Sequence, residues 1–190
     1  MKRFTDQRTG ETLDEIWFVE HPRIFTLGLN ANPSHILDAR DIPVLKIDRG
    51  GQATYHGPGQ LVAYLMFDLR RSKMSVRGVV EALETAVVDT VAAYGIEAYG
   101  RRDAPGVYVS GRKLAAVGLR IRRYCSYHGV AVNVDMNLEP FQRINPCGFE
   151  GLEVTQLSEL CGVADVARVR EDLEAKLRDG LEGRVMRVRD

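Results

Sequence analysis

The chain has 190 residues, of which 45% are hydrophobic, so it is long enough to bury roughly two-thirds of its surface around one sizeable core. Its 26 basic residues balance its 26 acidic residues, and no basic stretch is long enough to bind nucleic acid through charge alone. No apolar run approaches the roughly 18 residues of a membrane helix, and residues 1–10 lack the apolar core of a signal peptide. We therefore expect a cytoplasmic protein that binds neither nucleic acid nor membranes.

The first part of the chain is predicted to consist mainly of strands. Residues 15–28 contain two β-branched and aromatic stretches on either side of His21-Pro22, which predicts a strand, a tight turn and a second strand. Residues 42–48 predict another short strand. The nearly continuous apolar stretch 61–69 is typical of a strand buried on both faces, and a glycine-rich loop joins it to residues 42–48.

The remainder of the chain combines helices with further strands. Apolar residues recur at intervals of three and four from Val76 to Tyr94, behind Ser75 as the capping residue, and predict a helix that stops at Gly95. Short strands are predicted at 96–100 and 106–111, followed by two alternating strands at 113–123 and 127–135 with a turn near 124–126.

Residues 141–151 are rich in Asn, Pro and Gly and predict a loop. Residues 155–162 predict a short helix, and a longer helix follows Asp165, with Val166, Val169, Leu173 and Leu177 on one face. Since the sequence contains no repeat and no linker, we expect one α+β domain over residues 1–190, with helices packed on a mixed, largely antiparallel sheet.

The cysteines and histidines do not form a recognisable metal or disulfide pattern. Cys125, Cys147 and Cys161 are odd in number and widely spaced, which suits neither a disulfide framework nor a CxxC site. The four histidines lack HxxxH spacing. We therefore expect reduced thiols and no bound metal.

The glycine-rich loop, RGGQATYHGPGQ at residues 49–60, is the first candidate for chemistry. Glycines allow a backbone to pass close to a ligand and to present its N–H groups. The loop lacks both the GxGxxG and the GxxxxGK[ST] nucleotide motifs. A long ordered turn would account for the glycines alone, but the imidazole of His56 has no evident use in such a turn.

Cys147 and Lys113 are the next candidates. Cys147 lies in a loop between Pro146 and Gly148, where a nucleophile can be presented, whereas Cys161 lies among apolar helix neighbours. Lys113 is one of only five lysines, against 21 arginines, and a lysine can both favour a thiolate and exchange a proton. An exposed lysine at a strand end is the alternative for Lys113. His128 is either an ordinary strand histidine or a second polar group in the pocket.

Four segments in this order, RGGQATYHGPGQL, GRKLAAVGLRI, YHGVAVNVDM and RINPCG, closely resemble the lipoyl(octanoyl) transferases. The resemblance covers residues 15–160 and implies the α/β fold shared with biotin and lipoate protein ligases. It also implies an acyltransferase that moves an octanoyl group from octanoyl-acyl carrier protein to a lysine of a lipoyl domain through a cysteine thioester, without a cofactor. The recipients it implies are lipoyl domains of 2-oxoacid dehydrogenase complexes and the glycine cleavage carrier protein.

Matched by position, the acyl-cysteine of this family falls on Cys147 and its lysine on Lys113. The substrate-binding positions fall on three segments: Arg49, Gly50, Gly51, Gln52, Ala53, Thr54, Tyr55 and His56; Ala116, Val117 and Gly118; and Gly129, Val130 and Ala131. Members of the family usually begin earlier, with an additional strand and helix, so we expect one edge of the sheet to be less well covered here.

Two other functions remain open at this point. An ATP-dependent lipoate or biotin ligase on the same fold would need a phosphate-binding residue in the loop, for which Arg49 is available, and would leave Cys147 without a role. A non-catalytic module that binds acylated carrier domains would need neither Cys147 nor Lys113. The surplus arginines either meet acidic carrier domains or lie on a solvated strand face: Arg101, Arg102, Arg120, Arg122 and Arg123.

Overall fold

A computed structural model describes residues 1–163, 165–181 and 186–189 of the chain. The strands are β1 (Asp14–Val19), β2 (Ile24–Leu27), β3 (Val44–Lys46), β4 (Ala53–His56), β5 (Gln60–Met66), β6 (Tyr99–Gly100), β7 (Gly106–Val109), β8 (Arg112–Arg122), β9 (Cys125–Asn133) and β10 (Met186–Arg189). The helices are α1 (Lys2–Gln7), α2 (Leu69–Ser72), α3 (Val76–Ala92), α4 (Leu157–Cys161) and α5 (Val166–Gly180).

The strands form two sheets. The larger has seven strands in the order β10-β1-β5-β9-β8-β7-β6, and only the pairing of β1 with β10 is parallel. The smaller sheet has the order β3-β2-β4. Helices α3 and α5 pack against each other and against the larger sheet. This architecture confirms the predicted α+β class with a mixed, largely antiparallel sheet.

The two long helices follow the apolar spacing of the sequence. Helix α3 begins after Ser75, whose hydroxyl accepts a hydrogen bond from Gly78 N at 3.0 Å, and α5 begins after the capping Asp165. The predicted apolar positions are buried in the main core: Val79, Leu83, Val87 and Val91 of α3, and Val169, Leu173 and Leu177 of α5. Each such side chain stabilises the fold by about 1.5–3 kcal/mol.

Strands β8 and β9 form the predicted hairpin at the centre of the larger sheet. Their turn consists of Arg123 and Tyr124, with φ of 50° and 63°. Two consecutive residues with positive φ are what a two-residue type I′ hairpin requires. The turn therefore lies slightly before the predicted residues 124–126.

The two strands predicted within residues 15–28 are confirmed, but they do not pair with each other, because they lie in different sheets. β1 pairs with β5 and β10, whereas β2 pairs with β3 and β4. Ile16 and Phe18 join the main core, while Phe25 and Leu27 join a second core cluster. The residues around His21 therefore carry the chain from one sheet to the other.

The second core cluster joins the smaller sheet to residues 136–144. Its buried members are Phe25, Leu27, Ile42, Ala53, Tyr55, Met136, Phe141 and Ile144. The ring of Tyr55 lies 5.5 Å from each of the rings of Phe25 and Phe141, centroid to centroid. The cluster thus anchors the start of the predicted loop at 141–151.

Four elements are absent from the sequence-based prediction. They are α1, α2, β4 and β10, and β4 lies inside the glycine-rich segment that the sequence predicts to be a loop. β10 pairs with β1 on the side opposite β5, so β1 has a neighbour on both sides. The expectation of a poorly covered edge therefore does not hold at β1.

Within residues 1–163, 165–181 and 186–189, no helix is long and apolar enough to cross a membrane. The same residues contain no group of three or more His, Cys, Asp or Glu side chains that could hold a metal ion. The three cysteines are free.

Candidate active site

Cys147 lies in the middle of a single 3₁₀ turn, Pro146–Gly148, and its side chain is partly exposed. Its backbone is left-handed, with φ 57° and ψ 16°, which costs a non-glycine residue on the order of 1–3 kcal/mol. Gly148 follows with φ 81°, and a Cβ atom there would lie 3.0 Å from Gln52 Cγ. Glycine is therefore needed after the cysteine, and the turn holds the thiol in a fixed position.

Strand β8 contains a bulge next to Lys113. The register of β8 against β7 shifts at Leu114, which leaves that residue unpaired on β8. Leu114 and Ala115 both lie in the main core, so the usual alternation of side chains is interrupted. Lys113 and Ala116 line one cavity with Cys147, which Ala115 also borders.

The Lys113 ammonium group is buried against Cys147. Only 3% of the residue is exposed, and Nζ lies 2.8 Å from Cys147 Sγ and 3.2 Å from the carbonyl oxygen of Pro105. Nζ also lies 5.2 Å from the centroid of the Tyr108 ring, a cation–π contact. Lys113 therefore belongs to the site, and the alternative of an exposed strand-end lysine is wrong.

Two opposing effects act on the pKa of Lys113. Burial is the largest and lowers the pKa, because it disfavours the charged amine. The Cys147 thiolate raises it through charge and a hydrogen bond, Tyr108 adds to this, and the pKa ends above its ordinary value. The cationic state of Lys113 thus depends on the negative charge at Cys147.

An apolar pocket begins at Cys147. Most of the positions predicted to bind substrate line this pocket: Arg49, Gly51, Gln52, Ala53, Thr54, His56, Ala116, Val117, Gly118, Gly129, Val130 and Ala131. They come from residues 49–52, just before β4, and from strands β4, β8 and β9, which are brought together only by the fold.

Gly50 and Tyr55 do not line this pocket, and their assignment to substrate binding stays a prediction. Tyr55 is 2% exposed, and its side chain packs into the second core cluster because alternate residues of β4 face opposite sides. The N–H group of Gly50 donates to the carbonyl oxygen of Leu119 at 2.9 Å. Both residues support the wall of the pocket from behind.

Four lining residues lie outside the substrate-binding positions that the resemblance implies: Ile47, Val62, Tyr64 and His128. Val62 and Tyr64 alternate along β5, but a strand that is apolar on both faces does not reveal which face meets a ligand. The sequence left His128 as either an ordinary strand histidine or a polar group of the pocket, and in the structure it is both. It lies on β9, and its Nε2 lies 3.1 Å from Asp48 Oδ1 at the pocket wall.

The pocket runs along β8 and β9, away from Cys147. Gly118 is five residues beyond Lys113 on β8, which corresponds to about 16 Å of strand. It pairs with Gly129, which in turn pairs with Tyr64. The far end therefore lies at Tyr64 and at Ile47, the residue before Asp48.

Arg49 holds the glycine-rich segment in place through hydrogen bonds from its guanidinium group. Nε and Nη2 donate to Thr26, Nη2 also donates to the carbonyl oxygen of Gln52, and Nη1 donates to that of Gly50. Burial lowers the pKa of Arg49 to about 10, while Cys147 and Tyr64 act to raise it. The guanidinium group fixes the glycine-rich segment and places a positive charge near the thiol.

His56 enters the pocket wall as a neutral imidazole. Its Nδ1 lies 2.7 Å from Gln60 Oε1, an acceptor, so Nδ1 carries the proton and Nε2 keeps its lone pair. The orientation of the Gln60 amide supports this assignment, because its nitrogen donates to Asn133 Oδ1 at 2.9 Å and its oxygen therefore faces His56. Burial lowers the pKa of His56 to about 4.

The low pKa of His56 predicts a loss of stability in mild acid. Between its ordinary pKa of 6.5 and about 4, the unfolded chain binds a proton that the folded chain does not. The free energy of unfolding should therefore fall as the pH decreases through this window, by up to about 3 kcal/mol from His56. Urea unfolding of wild type and His56→Gln at pH 7 and pH 5 measures this. The variant should lose less stability than wild type, and equal losses in both proteins would contradict the assignment.

Comparison with known proteins places this site in a family. The lipoyl protein ligase A/B catalytic domain family matches residues 1–178. A curated relative from Vibrio atlanticus, named octanoyltransferase, is 54% identical over 93% of this chain and 81% of its own length. A relative of the same name from Pseudomonas fluorescens is 55% identical over 93% of this chain and 82% of its own length.

The fold is also that of solved ligase structures. A lipoate protein ligase from Thermoplasma acidophilum, described with its E2 lipoyl domain, superposes with a TM-score of 0.79 at 16% identity, over 100% of this chain and 78% of its own. This agreement confirms the ligase-like fold implied by the sequence motifs. The family match over residues 1–178, and relatives more than half identical over most of the chain, show that the protein belongs to the lipoyl protein ligase A/B catalytic domain family.

Proposed function

We propose that the protein is an octanoyltransferase of protein lipoylation, with Cys147 as the acyl carrier. The observation that carries this proposal is the 2.8 Å contact between Lys113 Nζ and Cys147 Sγ at one end of an apolar pocket. The name of the relatives that are 54% and 55% identical supports octanoyl as the group transferred. Octanoyl-acyl carrier protein is the proposed donor, and residues 1–190 act as a single catalytic domain in the cytoplasm.

In the first half-reaction the Cys147 thiolate attacks the thioester carbonyl of the octanoyl carrier. Lys113 favours the thiolate as its counter-ion. Backbone N–H groups near Cys147 or in the glycine-rich segment stabilise the oxyanion of the tetrahedral intermediate. The carbon–sulfur bond to the carrier then breaks, and the carrier sulfur takes the proton that Lys113 releases and leaves as a thiol. The product is a thioester of similar energy.

Acylation changes the proton affinity of Lys113. While Cys147 is a thiolate, its charge outweighs burial and the pKa of Lys113 is raised. Once the sulfur is acylated, this charge is gone and burial, which lowers the pKa, is left as the main effect. Lys113 therefore becomes able to release its proton at the stage when a base is needed.

In the second half-reaction the ε-amino group of the recipient lysine attacks the Cys147 thioester. Lys113, now in its neutral form, accepts the proton of the attacking amine. The carbon–sulfur bond breaks, an amide forms, and the regenerated thiolate again holds Lys113 in the cationic form. Since a thioester is converted to an amide, the reaction is downhill and needs neither ATP nor a cofactor.

The proposed recipients are lipoyl domains, including those of 2-oxoacid dehydrogenase complexes and the glycine cleavage carrier protein. The related fold of the Thermoplasma acidophilum ligase, described with its E2 lipoyl domain, supports this class of partner. Arg101 and Arg122 form ion pairs within the chain, with Asp103 and Asp6, so their charge is partly used. The remaining arginines that the sequence raised as contacts for acidic carriers are exposed: Arg102, Arg120 and Arg123.

The contacts of Arg49 disfavour an adenylating ligase. Its guanidinium N–H groups donate to Thr26, Gly50 and Gln52 of its own wall, and a phosphate would have to displace these bonds. A ligase would also leave the buried Lys113–Cys147 pair without a role. Incubation of the protein with octanoyl-carrier protein and apo-lipoyl domain, without ATP, tests the choice. Octanoylated lipoyl domain is expected, and product that forms only with ATP and free octanoate would establish the ligase.

The far end of the pocket is expected to set acyl chain length through Ile47. Replacement by alanine lengthens the pocket, and replacement by phenylalanine shortens it, while one methylene is worth about 10-fold or more in discrimination. Ile47→Ala should raise the rate with decanoyl relative to octanoyl carrier by about 10-fold, and Ile47→Phe should favour hexanoyl carrier. The exposed Val44 of the same segment provides the control Val44→Ala. If both Ile47 variants kept the wild-type ratios of rates between acyl chain lengths, the end of the acyl chain would not lie at Ile47.

A further inference from the structure

Glu84 is a buried carboxylate that the proposed mechanism does not use. It lies on α3 and is 5% exposed, although a charged side chain of a helix normally faces water. Its Oε1 accepts a hydrogen bond from Gly106 N at 2.9 Å in a buried position. A carboxylate held inside the protein by a backbone N–H group requires an explanation.

Glu84 and Lys113 bind opposite sides of one peptide group, the one that joins Pro105 to Gly106. The N–H of Gly106 and the carbonyl of Pro105 belong to one planar peptide unit. The N–H points at Glu84, and the carbonyl oxygen accepts from Lys113 Nζ at 3.2 Å. Lys113 Nζ in turn lies 2.8 Å from Cys147 Sγ. The contacts therefore run unbroken from Glu84 through one peptide to the thiol.

The packing around this peptide leaves it little freedom. Gly106 has φ 144°, and a Cβ atom there would lie 2.4 Å from the carbonyl oxygen of Ala115 and 2.7 Å from Lys113 Cε. The lysine side chain thus lies directly on the bare backbone of Gly106. Any rotation of the Pro105–Gly106 peptide would move the acceptor that holds Nζ, so the bond from Glu84 determines where the ammonium group lies.

We propose that Glu84 is a positioning residue of the Lys113–Cys147 pair, which acts through the Pro105–Gly106 peptide by fixing the carbonyl that anchors Lys113 Nζ. The charged groups around the carboxylate are Arg77 and Glu81 of α3 and Lys113 of β8. Burial raises the pKa of Glu84, while the Gly106 N–H, Arg77 and Lys113 act to lower it. Glu84 acts through the position of its acceptor oxygen beside Gly106 N, and not through its negative charge.

Two conservative variants separate position from charge. Glu84→Gln keeps an oxygen acceptor at the same reach and removes the charge. Glu84→Asp keeps the charge and withdraws the acceptor by one methylene from Gly106 N. Glu81→Gln is the matched control, since Glu81 lies on the same helix, pairs with Arg77 and is 48% exposed at its side chain. Thermal unfolding establishes that each variant is folded.

The inference rests on the proposed role of Lys113 and Cys147, but its readout does not require octanoyl transfer. Iodoacetamide labelling of Cys147 is measured by peptide mass spectrometry across pH 6–10, which separates Cys147 from the exposed Cys161. Glu84→Asp is expected to slow labelling at pH 7 by about 10-fold and to move the profile to higher pH. Glu84→Gln and Glu81→Gln should remain within about 2-fold of wild type.

Two results would overturn the inference. Wild-type labelling in folded Glu84→Asp would show that the acceptor is not needed, and slow labelling in Glu84→Gln would show that charge is what matters. Failure of the proposed function looks different, because the protein would then label normally and respond to Glu84→Asp as expected, yet transfer no octanoyl group to a lipoyl domain.

Discussion

Cys147→Ala is expected to abolish octanoyl transfer while the protein remains folded. The proposed reaction passes through a thioester on Sγ, and Cys147 is the one described cysteine that lines the pocket. Removal of the attacking atom lowers a nucleophilic enzyme's rate by more than about 1,000-fold. The substitution should not disturb the core, since the Cys147 side chain is partly exposed. Transfer to an apo-lipoyl domain, followed by mass spectrometry, measures the loss.

Cys161→Ala is the matched control for this variant. Cys161 is also a free thiol, it is more exposed, and it lies at the end of α4 away from the pocket lining. The control should transfer at the wild-type rate. Transfer by Cys147→Ala within about 10-fold of wild type would remove the cysteine from the mechanism.

Lys113→Met is expected to reduce transfer by about 100-fold to 10,000-fold, the range of a lost general acid–base group. Methionine has a similar length and fills the buried site, but it carries neither charge nor proton. The variant therefore loses the counter-ion of the thiolate and the acceptor of the amine proton. Labelling of Cys147 at pH 7 should slow as well, because the neutral thiol is a weak nucleophile.

Lys46→Met is the control for Lys113→Met. Lys46 lies on the exposed strand β3, outside the residues that line the pocket. It should leave both transfer and labelling unchanged. If Lys113→Met slowed transfer but labelled Cys147 at the wild-type rate, Lys113 would act only as a base in the second half-reaction.

The sequence predicts the elements better than their arrangement. Regular spacing places α3 and α5 correctly, because each buries one face against the sheet. The two strands within residues 15–28 are predicted correctly, but a local turn signal cannot reveal that Phe25 belongs to a different core from Ile16. Pairing partners far along the chain decide this, as in the register of β1 with β5.

The site shows the same division between local and distant information. Loop position, the scarcity of lysine and motif resemblance together indicate Cys147 and Lys113, but these residues are 34 positions apart, and the sequence alone does not show that they are in contact. No composition or spacing rule signals the bulge next to Lys113 on β8. Glu84 is equally hidden, since in the sequence it is one of three acidic residues of α3, and only burial distinguishes it.

The central claim, an octanoyl thioester on Cys147, is tested most directly by intact-protein mass spectrometry. Wild type and Cys147→Ser are incubated with octanoyl-carrier protein in the absence of ATP. The account predicts that wild type alone gains the mass of one octanoyl group, which hydroxylamine removes and which disappears when apo-lipoyl domain is added. No mass gain in wild type, with acylation of the lipoyl domain only when ATP and free octanoate are supplied, would contradict it.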